Sequence, residues 1–140
     1  RAQVKAIFEG QCDISIINNY YFGKLKYSED PSQREWAKSV RIIFPNQGEG
    51  ERGAHINISG GGVAKYSKNK NEAVALLEFL SKAQSQKMYG EINFEYPVNP
   101  SVETTEELKS WGSFNSDSLP IISIAQKAYE AQKIIDRVGW

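Results

Sequence analysis

Tyr20 and Tyr21 stand side by side in the stretch IINNYYFGKL, residues 17–26. Two adjacent phenols suit the binding of a hard, highly charged metal ion. A tyrosine oxygen ordinarily keeps its proton up to about pH 10, but a trivalent ion displaces it because the ion's own charge dominates the local field. Oxygen ligands favour Fe(III) over softer ions, which prefer sulfur or imidazole. A plainer use competes with this one: tyrosine is common in strands and at their ends, where the ring covers a surface and the hydroxyl stays wet. Neighbouring residues in a strand point to opposite faces, so only one of the two could enter a core. The expectation is that a strand stops at Asn18 and the loop after it swings both phenols toward one ligand.

Other chemistry-bearing residues are less well placed. His55 is the only histidine; alternation across AHINI, residues 54–58, puts it on the same face as Asn57, with no second histidine or carboxylate at ligand spacing, so it reads as a hinge or packing residue. The glycines at 60–62 are not a phosphate loop, because the following VAKYSK lacks the adjacent Lys-Ser/Thr pair. Close backbone approach is their better use. Cys12 is the single cysteine, so no internal disulfide and no CxxC motif exists; it reads as a small buried residue beside a strand. Asp13 reads as a surface or capping carboxylate, and Glu49 and Glu51 lie in a loop with no partner fixed by spacing. Trp36, Trp111 and Trp140 read as packing anchors.

The elements that must position the tyrosines follow from periodicity. Val4, Ile7 and Phe8 have helical spacing that ends at Gly10, as though the chain enters in the last turns of a helix. DISII (residues 13–17), VRIIF (40–44) and AHINI (54–58) read as strands, and FEYPV (94–98) as an extended segment kept off a central position by Pro97. KYSEDPSQREWAKS reads as a polar loop punctuated by Pro31. From about 71 to 83 the spacing changes to a helical one, with Ala73, Leu76, Leu77 and Leu80 in one stripe broadened by Val74 and Phe79. TTEELKSWG predicts a short helix capped by Thr104 or Thr105 and ended by Gly112. A last long helix is expected over 121–137. Strands alternating with helices predict an α/β fold with a largely parallel or mixed sheet.

Composition narrows the partners. Seventeen basic and seventeen acidic residues cancel and neither sign forms a long block, which gives no electrostatic reason to expect nucleic acid or an anionic membrane. The lysines of KYSKNKN read as a solvated turn before a helix. No run of about 18 apolar residues is present, so stable membrane insertion is not expected.

Beyond these local readings, GQCDISIINNYYFGKL, GAHINISGGGVAKYSKNKNEAVALLEFL, GEINFEYPVNP, LKSWGSF and IDRVGW together resemble the periplasmic ferric iron-binding proteins that serve bacterial ABC transporters. The resemblance covers essentially all 140 residues, in the order of the C-terminal part of such a protein. It implies a periplasmic-binding-protein-like (type II) two-lobe α/β fold of which this chain is the C-terminal portion. Residues 1–50 and 102–140 would form the tyrosine-bearing lobe, with residues 51–101 crossing the hinge into the opposite one. The resemblance makes Tyr20 and Tyr21 ligands to Fe(III). It gives Asn18 a part in holding a synergistic anion such as carbonate or phosphate, and Lys24 an electrostatic or anion-facing role. The implied partners are an inner-membrane ABC permease and a preceding N-terminal portion that supplies the other ligands, and the implied compartment is the periplasm.

Two other functions compete. A binding protein of the same fold for an anion or small organic solute would use the phenols as hydrogen-bond donors. An enzyme is not expected, because Tyr20 and Lys24 have no cofactor motif or second poised acid to work with.

Overall fold

The computed structural model describes residues 1–139, and Trp140 with its expected packing role lies outside them. Regular structure among these residues is helical: eight α-helices and one π-helical turn, with no β-sheet. The α/β two-lobe expectation is therefore corrected. Residues 13–17 and 40–44 run without ladder partners, and the third expected strand makes only an isolated parallel bridge from Ala54 to Ser116. Alternating, β-branched sequence suits a pleated surface, but a strand exists only where a neighbour satisfies its N–H and C=O groups. Ile14 and Ile16, 83% and 84% exposed, are not covered by any layer here.

The chain divides into two compact units. The first comprises residues 1–43 and 60–113, the second residues 44–59 and 114–140. The sequence reading placed its crossings near residues 50 and 101.

In the first unit, Val4, Phe22, Leu25 and Ala37 form the core, with Ile17, Trp36, Val40, Ile42 and Trp111 packed against it. Three helices supply its centre. α1 (Ala2–Phe8) turns Val4 inward and is followed by Gly10 at φ +73°, as its spacing predicts. α2 (Asn19–Lys26) contributes Phe22 and Leu25, three apart and so on one face. α3 (Pro31–Lys38) replaces the expected polar loop. Its start is locally encoded, because the Asp30 side chain accepts from Ser32 N–H at 2.8 Å and Pro31 occupies the first helical position, where a missing N–H costs nothing.

α4 (Lys70–Leu80) follows the predicted stripe, yet Val74, Leu76 and Phe79 remain exposed. α5 (Ala83–Met88) runs into a π-helical turn (Tyr89–Asn93), and neither was expected from the sequence. Ser85 and Gln86 are buried because they close the end of α4: Ser85 donates to the Phe79 carbonyl at 2.8 Å and Gln86 to the Leu80 carbonyl at 2.9 Å. α6 (Glu106–Ser110) is the predicted capped helix, with Thr105 Oγ1 accepting from Leu108 N–H and Gly112 at φ +99° beyond its end. Leu108 is fully buried.

The second unit is held by a short polar lattice. The Ala54 N–H donates to the Asn115 carbonyl, the Asp117 N–H donates to the Ala54 carbonyl, and Gln47 bonds both backbone groups of Asn115. Phe44 stacks on Phe114 at 4.2 Å. The expected single C-terminal helix is two: α7 (Ile121–Ala125) and α8 (Ala128–Val138). Lys127, at φ −96° and ψ −2°, is the N-cap of the second of them.

Candidate metal centre

Tyr20 and Tyr21 lie in the first turn of α2 and not in a loop. Asn18 takes extended angles, φ −71° and ψ 135°, and its carbonyl accepts the Tyr21 N–H at 3.1 Å, which starts the helix immediately after the IINN stretch. In a helix, consecutive side chains diverge by about 100° and not by the half-turn of a strand. That removes the conflict raised by adjacency. The two rings lie 4.3 Å apart, tilted by 39°, with Tyr20 half-buried and Tyr21 exposed.

Tyr20 sets the electrostatics of its neighbour. Bonding to the Tyr20 phenol, together with the charge Tyr20 would carry, holds the Tyr21 phenol above its ordinary range; Arg1 works weakly the other way. In the absence of a stronger cation Tyr21 therefore holds its proton more firmly than a free tyrosine. The orphan N–H groups of the first turn and the positive end of α2 lie at the same place and favour negative charge there. Lys24, one turn on, carries its Nζ 5.2 Å from the Tyr20 ring centroid, within cation–π range. Asn18 is exposed and its side chain makes no capping bond. The four residues singled out in the sequence, Asn18, Tyr20, Tyr21 and Lys24, are thus brought together within two turns of helix.

The remaining candidates are elsewhere. His55 is exposed, which leaves it no packing role among the described residues, and Cys12 is a half-buried free thiol. Glu51 accepts from the Gly48 N–H within its own turn. No cluster of three or more His, Cys, Asp or Glu residues suited to a metal occurs among the described residues.

Two residues that sequence reasoning missed hold α2 in place. Asn19 donates through Nδ2 to the Phe94 carbonyl at 3.3 Å, and Glu107 gathers Lys26, Tyr27 and the Trp111 Nε1–H onto one carboxylate. Gly23, a poor helix former in a helix interior, was the available sign that something approaches this helix closely.

Residues 5–115 match the pattern that defines the bacterial extracellular solute-binding protein family. Iron uptake protein A2 of Synechocystis is 38% identical over 99% of this chain and 40% of its own length. Ferric iron-binding protein A of Mannheimia haemolytica, solved in an open conformation, superposes with a TM-score of 0.88 at 46% identity, covering 99% of this chain and 42% of that one. A Trichodesmium protein solved in complex with iron and citrate ligands gives 0.90 at 43% identity, covering 99% and 43%. The chain spans about two-fifths of the length of the curated relatives it matches.

Proposed function

We propose that this chain, which belongs to the bacterial extracellular solute-binding protein family, supplies two ligands, Tyr20 and Tyr21, to an Fe(III) site. The protein it serves would carry ferric iron in the periplasm and hand it to an inner-membrane ABC importer. The observation that carries this reading is the pair of tyrosines in the first turn of α2, whose ring centroids lie 4.3 Å apart at the positive end of the helix. Likeness to proteins named for iron uptake and for ferric iron binding supports it.

The chemistry follows from charge. Approach of Fe(III) makes loss of both phenolic protons favourable and leaves two hard oxygen donors for one ion. Two phenolates leave roughly four positions of a six-coordinate ion to other ligands. A carbonate or phosphate is proposed to fill part of that shell, met by the Asn18 amide and by the charge of Lys24. The role is binding and release, with no bond made or broken in a substrate.

The test is Fe(III) titration of the full-length protein, read by the visible phenolate-to-iron charge-transfer band. Tyr20→Phe and Tyr21→Phe each keep the ring and remove one oxygen. Losing a direct ligand should weaken binding by at least about the 10–100-fold that second-shell changes cost, with a shifted band. Unchanged affinity and spectrum in both variants would refute the assignment. A protein that bound anions but gave no band with Fe(III) would instead be a carrier of anions or small organic solutes.

A further inference from the structure

Gly23 sits in the interior of α2, where glycine is less favourable than alanine by about 1 kcal/mol on helix propensity alone. A Cβ at this position would lie 2.3 Å from Cγ of Phe94 and 2.5 and 2.7 Å from its two Cδ atoms, so the ring occupies the space of the missing side chain. One turn earlier, Asn19 donates to the Phe94 carbonyl at 3.3 Å. One turn later, the Tyr27 ring stacks on the Phe94 ring at 5.5 Å with 8° between planes. Asn19, Gly23 and Tyr27 are spaced by four and so form one stripe along the helix. A single residue, buried to 8% exposure, therefore contacts three successive turns of α2.

Phe94 reaches that position through an unusual backbone. It closes the π-helical turn at φ 60° and ψ 39°, a left-handed conformation that is a genuine outlier for a bulky residue. Such a conformation persists only where its surroundings over-determine it. Here they do: the ring is enclosed by Gly23, Tyr27 and, at 6.3 Å, Trp111.

We propose that Phe94 is a positioning residue for the tyrosine pair: its ring and carbonyl clamp one stripe of α2 and so fix where the phenols of Tyr20 and Tyr21 point. This rests on the iron reading above, because it gives the clamp a ligand site to position. Asn19, which accounts for one end of the clamp, directly precedes Tyr20 in the chain. Displacement of the stripe rotates or tilts the helix and carries both oxygens with it, and a binding constellation tolerates only a fraction of an ångström of such movement.

The experiment uses Gly23→Ala, Phe94→Ala and the double variant in the full-length protein, each checked for native circular dichroism. Two readouts are taken: Fe(III) affinity from the visible band, and the ionisation curves of Tyr20 and Tyr21 in metal-free protein, resolved from those of the other tyrosines, Tyr27 included, by site-assigned ring NMR. Each single variant is expected to weaken iron binding by about tenfold and to alter the ionisation curve. In the Phe94→Ala background the added methyl meets no ring, so Gly23→Ala should then cost less than about threefold. Equal cost of Gly23→Ala with and without the ring would overturn the clamp, as would a folded Phe94→Ala protein unchanged in both readouts. Should Phe94→Ala fail to fold, Asn19→Ala removes only the bond to the Phe94 carbonyl; an altered ionisation curve supports the proposal and an unaltered one overturns it. A wild-type protein without an iron band would defeat the iron reading, and the ionisation curves would still decide whether Phe94 positions the pair.

Discussion

Removing the Glu107 carboxylate should loosen the C-terminal end of α2 by an amount the local geometry bounds. Glu107 accepts from Lys26 Nζ at 2.6 and 2.9 Å, from the Tyr27 hydroxyl at 2.6 Å and from Trp111 Nε1 at 2.8 Å. Its side chain is 18% exposed but that of Lys26 is 41% exposed, so the ion pair itself is worth no more than about 1 kcal/mol after screening. The bonds from Tyr27 and Trp111 to an ionised acceptor add more, and Glu107→Ala leaves both donors short of a partner. The combined cost should be roughly 2–3 kcal/mol, with Glu107→Gln losing about half as much because one oxygen acceptor remains. The sign with pH follows from the same contacts. Burial pushes the Glu107 carboxyl up, but hydrogen bonds from Lys26, Tyr27 and Trp111 outweigh it and hold the carboxyl below its ordinary 4.5. A depressed acid contributes fully above its unfolded value and loses that contribution as pH falls below 4.5 through the folded one. Lys26 is raised above 10.5, chiefly by its bond to Glu107, so its share is present below that value and fades as pH rises through the folded one. Urea unfolding of the full-length protein at neutral pH and across the acid limb measures both effects. A Glu107→Ala change below about 0.5 kcal/mol, or an acid limb that keeps its slope in Glu107→Gln, would refute the account.

Leu25, with no exposed surface at the centre of the three-helix core, should cost about 2–5 kcal/mol on replacement by alanine, measured by the same unfolding. Ligation through two phenolates should make apparent Fe(III) affinity fall as pH is lowered, with up to about two protons released per ion; pH-stat titration showing no release would contradict it. Residues 1–140 alone leave Leu76, Phe79 and Val74 on α4 and Ile134 and Val138 on α8 in water. Such a surface should drive self-association or bind a hydrophobic dye. Sedimentation as a monomer with cooperative unfolding would argue against this.

What could be read from the sequence was what the chain decides locally. The α4 stripe, the Thr105 cap of α6 and the glycine after α1 depend on residues within a few positions of one another, and all three appear where the pattern put them. α3 is equally local, yet its sequence reads as a loop, because Pro31 punctuates structure in most settings but starts a helix when it follows Asp30. The sheet failed for a different reason. DISII and VRIIF carry strand composition, but whether a segment becomes a strand depends on a distant partner, and none pairs with them among the described residues. The run NNYYFGKL misled in the same way: asparagine and aromatic residues weaken a helix intrinsically, and it forms because Phe22 and Leu25 gain burial against α1 and α3. Nothing near Phe94 in sequence announces that it will meet Gly23, seventy-one positions away.

The helical setting of the tyrosines bears on the chemistry more than a loop would. A loop could bring two phenols together only by ordering several flexible residues, each costing about 1–2 kcal/mol of backbone entropy, and that cost would be drawn from binding. On α2 the backbone is already fixed by core packing on one stripe and by Phe94 on another, so the separation of the rings is set before any ion arrives. If the proposed iron site holds, what remains to be displaced on metal capture is the two phenolic protons, and the cost of capture moves from conformational entropy to proton release. Affinity at that site would then depend on pH through Tyr20 and Tyr21, and release would be coupled to whatever re-protonates them or tilts α2.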